Sequence, residues 1–284
     1  MQVREVLRKN GFRFEKRYGQ NFLTDENLLS ALVDKTGVGE NDTVVEIGVG
    51  AGTLTSALSK KVKRVIGFEI DKKLQPVLAE TLKDAKNVEI VYKDVMKIPT
   101  AEIEDIAGGR FSIVANLPYY ITTPILMKFL EESDKVNLIA VTVQEEVADR
   151  MCAKPSTADY GALTLAIDVI GNAEKVMRIP RDMFYPAPNV DSAVAVIKID
   201  RNKFAGVNAK AFRSVVRSAF SSRRKTLVNN LMQSFGLSRE KAEEAVIAVK
   251  GDKTARGETL STAEFVALSR ILSSQVQHYN NRFE

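Results

Sequence analysis

The sequence has few of the side chains that most often do covalent or metal chemistry. Its 284 residues include one cysteine, Cys152, one histidine, His278, and no tryptophan. A single cysteine excludes an internal disulfide, and one histidine beside it makes no His/Cys metal cluster. A Ser-His or Cys-His catalytic pair is disfavoured as well, because its base would have to come from a polar C-terminal tail. Long apolar runs are also missing. No stretch approaches the roughly 18 residues needed to cross a bilayer, and the start Met1-Gln2-Val3-Arg4-Glu5-Val6 lacks a signal peptide's apolar region. The expectation is a cytoplasmic protein that uses no metal.

What remains is an ordinary globular composition, 45% apolar, in a chain long enough for one large domain or two. Forty-one Lys and Arg against 36 Asp and Glu leave a charge of +5, which points to a polyanionic partner. Residues 1–20 concentrate part of it: Arg4, Arg8, Lys9, Arg13, Lys16 and Arg17, with Phe12, Phe14 and Tyr18 interleaved. They read as a mobile basic arm, either solvated or ordering along phosphates. Thr24-Asp25-Glu26-Asn27 then caps a helix through residues 28–33.

A βαβ unit follows. A strand at 43–47 runs into Gly48-Val49-Gly50-Ala51-Gly52 and a helix at 53–60, and a second strand at 64–68 ends in Glu69, 21 residues past Gly48. An acid at that tip is placed to hydrogen-bond the hydroxyls of an adenosine ribose. Thr53 stands where the dinucleotide fingerprint GxGxxG would have its last glycine, which counts against nicotinamide and flavin cofactors. S-adenosylmethionine has a ribose but no pyrophosphate and suits the loop, although the loop alone separates the two cofactors weakly. After a helix at 72–83 and a strand at 88–92, Asp94 sits where it would accept from an adenine amino group or cap a helix.

The strand Phe111-Ser112-Ile113-Val114-Ala115 delivers Asn116-Leu117-Pro118-Tyr119 to its carboxyl end, the edge where open α/β sheets bind ligands. The four residues offer an amide oxygen, a backbone carbonyl fixed by proline and an aromatic face, which suits a planar base carrying an amino group. A helix at 123–131, a strand at 137–143 and a helix at 144–153 continue the alternation and predict a mostly parallel sheet covered on both faces. From Tyr160 the pattern changes to a helix at 161–170 and strands at 173–179 and 193–199, joined by a loop with Pro180, Pro186 and Pro188. This predicts an edge hairpin whose Phe184 is either presented by the stiff loop or buried. Beyond residue 200 only helical periodicity is left, at 212–219, 225–235, 238–249 and 262–273. The reading is two domains, 1–200 and 201–284. The second carries Arg213, Arg217, Arg223, Arg224 and Lys225, a solvated face or a phosphate-binding cluster.

Gly19-Gln20-Asn21-Phe22-Leu23, the glycine loop, Glu69, Asp94, Asn116-Leu117-Pro118-Tyr119, Phe184-x-Pro-x-Pro-x-Val-Asp-Ser and the Arg-Arg-Lys run together resemble the ribosomal RNA adenine dimethyltransferase family, most closely its bacterial small-subunit members. The resemblance covers nearly the whole chain. It implies an α/β class I (Rossmann-like) methyltransferase with a mostly parallel seven-stranded sheet and a small C-terminal all-helical domain. It further implies S-adenosylmethionine as donor and, as substrate, two adjacent adenosines near the 3′ end of small-subunit rRNA. A monomer that also serves late assembly of the immature small subunit is expected. By position, Asn21, Leu23, Gly48, Glu69, Asp94 and Asn116 look like the cofactor set, with Gly50 in the same loop. Asn116, Leu117, Pro118, Tyr119 and Phe184 look like the target-base site, and Arg217, Arg223, Arg224 and Lys225 like the RNA contacts. Tyr185-Pro186-Ala187-Pro188 departs from the three consecutive prolines of many relatives, which leaves the pose of Phe184 open. The macrolide-resistance methyltransferases of large-subunit rRNA are similar, but Leu117 and the long basic helical domain lean against them.

Overall fold

The computed structural model describes residues 3–15 and 18–275. Lys16, Arg17 and His278 lie outside the described residues. The chain divides into two compact units, one containing Asn172–Ile199 and the described residues up to Asp149, the other containing Arg150–Gly171 and those from Asp200 onward.

The first unit runs α1 (Val3–Lys9), β1 (Phe22–Leu23), α2 (Glu26–Thr36), β2 (Thr43–Ile47), α3 (Thr53–Ser59), β3 (Arg64–Phe68), α4 (Gln75–Thr81) and β4 (Val88–Val91). It continues with α5 (Thr100–Ala107), β5 (Phe111–Asn116), α6 (Thr122–Glu132), β6 (Val136–Gln144) and α7 (Glu145–Met151), and later β7 (Gly171–Ile179), β8 (Phe184–Tyr185) and β9 (Ser192–Ile199). Seven strands form one sheet in the order β4-β3-β2-β5-β6-β9-β7. The pairs β3–β4, β2–β3, β2–β5 and β5–β6 are parallel, and β9 runs antiparallel to β6, from Leu138 opposite Lys198 to Gln144 opposite Ser192. The central strands β2 and β5 are buried along nearly their whole length, on both faces, whereas the outer strand β4 stays partly exposed throughout. Asp25 caps α2, its Oδ1 accepting from Leu28 N at 2.8 Å.

Chain order reverses between β2 and β5, so the loops leaving the carboxyl ends of β2, β3, β4 and β5 diverge around one crevice. Those loops begin at Gly48, Glu69, Tyr92 and Leu117. The topology therefore gathers segments far apart in sequence at one edge of the sheet.

Two expectations are corrected. The first 20 residues are not a mobile arm over their described part: Val3, Val6 and Leu7 share one face of α1 and are buried with Val49, Leu74, Val77 and Leu78, while Phe12 and Phe14 pack on the same cluster. Arg4 lies 4.6 Å over the Tyr185 ring and Lys9 pairs with Glu80 at 3.0 Å. A charge count hid an i, i+3, i+4 apolar stripe. The domain boundary at 200 is also incomplete, because Arg150–Gly171 clusters with the helical unit.

That unit contains α8 (Ala162–Asp168), α9 (Ala209–Ala219), α10 (Leu227–Phe235), α11 (Arg239–Lys250) and α12 (Thr262–Ile271). Its core joins Tyr160 and Leu165 to Phe212, Val215, Leu231, Val246, Leu260 and Phe265. Tyr160 donates its hydroxyl to Leu260 O at 2.7 Å, and burial pushes the phenol up to about 12. Among the described residues no helix is long and apolar enough to cross a membrane.

Candidate active site

A cavity of about 320 Å³ opens at the crevice, wholly within the first unit. Asn21, Leu23, Gly48, Gly50, Glu69, Asp94, Asn116, Leu117, Pro118, Tyr119 and Phe184 all line it, so every residue read from the sequence as a cofactor or target-base contact converges there.

Glu69 anchors one side. Its carboxylate is buried and accepts from Gly50 N through Oε2 and from Ile70 N and Asp71 N through Oε1, each at 2.8 Å. Burial pushes its pKa up, partly offset by these three N–H groups. The first two glycines of the loop differ in use. At Gly48 (φ +77°) a Cβ would meet nothing within 4 Å, which leaves room for a ligand beside bare backbone. At Gly50 (φ +58°) the space is taken by the Phe22 ring, 2.7 Å from where a Cβ would be. Asp94 Oδ1 accepts from Met96 N at 3.0 Å and Oδ2 lies 3.6 Å from Lys97 Nζ. It therefore caps its own turn and lines the cavity at once.

Asn116 ends β5 on the opposite side. Its Nδ2 donates to Asn21 O at 2.8 Å, which fixes the amide so that Oδ1 remains an acceptor. Pro118 (φ −57°) opens the following turn, and its carbonyl accepts from Ile121 N at 3.1 Å. Tyr119 is held by a 2.7 Å hydrogen bond between its hydroxyl and Ser192 Oγ. Phe184 is only 3% exposed. The proline loop does not present it to solvent: β8 pairs antiparallel with β1, placing Phe184 opposite Leu23, and the buried ring forms part of the cavity wall.

The profile of the family described as ribosomal RNA adenine dimethylase matches residues 11–272. The chain belongs to that family. It is 44% identical over 280 residues to the ribosomal RNA small subunit methyltransferase A of Anoxybacillus flavithermus, covering 95% of this chain and 94% of that protein. To the protein of the same name in Clostridioides difficile it is 43% identical over 277 residues, 96% of each. Among solved structures, a dimethyladenosine transferase from Plasmodium falciparum superposes with a TM-score of 0.75 at 23% identity, over 89% of this chain and 98% of that one. The 23S rRNA methyltransferase ErmE gives 0.69 at 24% identity, over 89% and 100%. These two share the fold, which is the class I methyltransferase architecture expected from the sequence.

Like the rest of its family, this adenine dimethylase uses S-adenosylmethionine. The cavity suits it: Glu69 has lone pairs left for ribose hydroxyls, Gly48 leaves open space, and a buried acid lacks a partner. That acid, Glu46 in β2, was not singled out in the sequence. It is 1% exposed, and its Oε2 meets no hydrogen-bond donor. Burial pushes it up to about 8; the Thr55 hydroxyl offsets this slightly, although no hydrogen bond of ordinary geometry joins the two. An acid inside the apolar strand Thr43–Ile47 was the available signal. Tyr120, also passed over, lines the mouth and is 62% exposed.

The basic cluster of the helical unit splits by role. Arg223 donates to the carbonyls of Ala158 at 2.9 Å and Tyr160 at 3.4 Å, and Lys225 donates to Gln233 Oε1 at 2.8 Å. The buried Asn230 pins their turn by donating to Ala219 O and Ser222 O. Arg217 and Arg224 are exposed.

Proposed function

We propose that this chain dimethylates the exocyclic N6 amines of two adjacent adenosines near the 3′ end of small-subunit (16S) rRNA, as a cytoplasmic monomer acting late in assembly on the immature small subunit. The observation that carries the site assignment is the fixed Asn116 amide, whose Nδ2 is committed to Asn21 O, which leaves Oδ1 as an acceptor on a residue that lines the same cavity as Glu69 and Gly48. The relatives named for the small subunit, two of them 43–44% identical over nearly their full length, favour that rRNA over the large-subunit alternative.

The amine of adenine is a poor nucleophile because its lone pair is delocalised into the ring. Asn116 Oδ1 and the Leu117 carbonyl accept its two hydrogens, draw the nitrogen toward tetrahedral geometry and aim its lone pair into the cavity. Tyr119 and Phe184 flank the base, each stacking contact worth ~1–3 kcal/mol. When bound, the cofactor supplies an electrophilic methyl on a sulfonium that leaves as a neutral thioether; the methylated nitrogen, acidic while it carries the positive charge, sheds one proton to solvent, so the residues need provide no strong base. After one transfer a single N–H remains for these acceptors to hold, which permits a second round.

Asn116→Ala is expected to lower turnover by roughly 100-fold or more, far more than it lowers the cofactor affinity measured by calorimetry. Full methyl transfer to rRNA by that variant would remove Asn116 from the role. Mapping dimethyladenosines in rRNA from cells with and without the protein tests the substrate, and loss from the large subunit alone would establish the alternative. A Glu69 variant that cannot hold cofactor separates chemistry from assembly.

A further inference from the structure

The first helix has one flank that packing leaves unused. Val3, Val6 and Leu7 anchor α1 on Val49, Leu74, Val77 and Leu78, and Lys9 ties one side of it to α4 through Glu80 at 3.0 Å. Glu5, the acid of the helix, lies one turn before Lys9, whereas Arg4 and Arg8, also one turn apart, share the other side. Both arginines are exposed, and among the described residues neither pairs with a carboxylate. Arg4 is nonetheless held in place: its guanidinium lies 4.6 Å over the Tyr185 ring, which meets Phe14 edge-on at 5.4 Å. A guanidinium stacked in this way uses its flat face on the ring and leaves the N–H groups of its edge pointing outward. Tyr185 directly follows Phe184, whose ring walls the cavity, and the β1–β8 ribbon fixes the two against Phe22 and Leu23. α1 lies ahead of residues 11–272, the part matched by the family profile.

We propose that Arg4, stacked on Tyr185, and Arg8 one turn on form a phosphate clamp that holds the rRNA backbone beside the flipped adenosine. The inference rests on the assignment of Asn116, Tyr119 and Phe184 to the target base, because Phe184 is what places Tyr185 next to that site. Taking a base out of its stack costs free energy, and contacts to the flanking phosphates offset that cost without reading sequence. Two features fit the flank to this task. Its position is set in advance, since the apolar face of α1 is buried and the Tyr185 ring restricts Arg4, so little side-chain freedom is lost when a phosphate arrives. Its donors are also unclaimed, and a planar guanidinium with no carboxylate beside it can bind two phosphate oxygens at once. Lys9 meets neither condition, because its ammonium already faces Glu80 across the opposite flank.

The test compares two flanks of one helix. The full chain and its variants are titrated with a fragment of small-subunit rRNA that carries the two adenosines, over a range of KCl concentrations. Arg4→Ala and Arg8→Ala are each expected to reduce the log-log salt slope by about one unit, and the double variant by about two. Lys9→Ala removes the same charge from the same helix and should leave the slope as it is. Arg4→Lys, which restores a charge at that place, should recover most of it. In methyl-transfer assays the arginine variants should raise the KM for RNA roughly tenfold, with kcat and cofactor affinity little altered. An unchanged slope in both arginine variants, an equal fall in Lys9→Ala, or weaker RNA binding without a change of slope would each overturn the proposal. Arg8 is exposed and holds no ring, so its variant decides the matter even if losing the Tyr185 stack loosens α1. Full activity in Asn116→Ala, with the slope changes still present, would instead refute the target-base assignment on which the placement rests.

Discussion

Replacing Gly50 by alanine tests whether the wall of the cavity is as tightly set as the geometry implies. Two effects act together. At φ +58° an alanine is strained by about 1–2 kcal/mol, partly offset by about 0.4–1 kcal/mol from the stiffer unfolded chain. The new methyl would also lie 2.7 Å from Phe22 Cε1 and 3.0 Å from Cδ1. Phe22 is buried, with the Phe14 and Phe12 rings 5.5 and 6.3 Å away, so it has little room to move; overpacking of this kind costs about 1–3 kcal/mol. A net loss of about 1–4.5 kcal/mol is expected, measured by urea unfolding without cofactor. The displacement also reaches the chemistry, because Phe22 follows Asn21, whose carbonyl holds the Asn116 amide at 2.8 Å. Turnover at saturating cofactor and RNA should therefore fall along with stability. In Gly48→Ala, where nothing stands within 4 Å, only the backbone strain applies and the main loss should be cofactor affinity. A Gly50→Ala protein within about 0.5 kcal/mol of wild type and fully active would refute the reasoning.

Three further outcomes follow from the same geometry. Tyr119→Phe forfeits the hydrogen bond to Ser192 but keeps the ring, so stability should drop by about 1 kcal/mol with a modest loss of turnover; thermal unfolding and methyl-transfer assays check both. Arg224→Ala should weaken RNA binding and reduce its log-log salt slope by about one unit, whereas Arg223→Ala should chiefly loosen the 158–160 backbone it holds, seen as faster amide exchange there. Folding raises the Glu46 carboxyl to about 8, so between the ordinary carboxylate range and that value the native chain keeps a proton the unfolded chain has released. Without cofactor this contribution makes stability fall as pH rises across that window and level off above it. Glu46→Gln should flatten the decline, and an unaltered urea profile from pH 5 to 8 would exclude the assignment.

The parts of the molecule legible in sequence are those written locally. Continuous apolar runs marked β2, β3, β5 and β6, and the rule that ligands sit beyond strand carboxyl ends was enough to bring Gly48, Glu69, Asp94 and Asn116 to one cavity. The illegible parts depend on partners far along the chain. The Asn116 amide is set by a residue 95 positions away, and Tyr160 finds its acceptor 100 positions on. The β1–β8 ribbon is two residues long, too short for any periodicity, yet it decides that Phe184 is wall rather than tip. Glu46 was passed over because an acid flanked by valines and isoleucine looks like an ordinary strand position until its missing partner is seen.

The detour of Arg150–Gly171 through the helical unit has a consequence for how members of this family can be recombined. A graft that exchanged only the sequence after Ile199 would bring in helices lacking Tyr160 and Leu165, and would leave those two apolar side chains in the recipient facing an unmatched core. Any interchange of helical units between relatives must therefore move two separate stretches of polypeptide together, and homologous crossovers inside either stretch would be selected against.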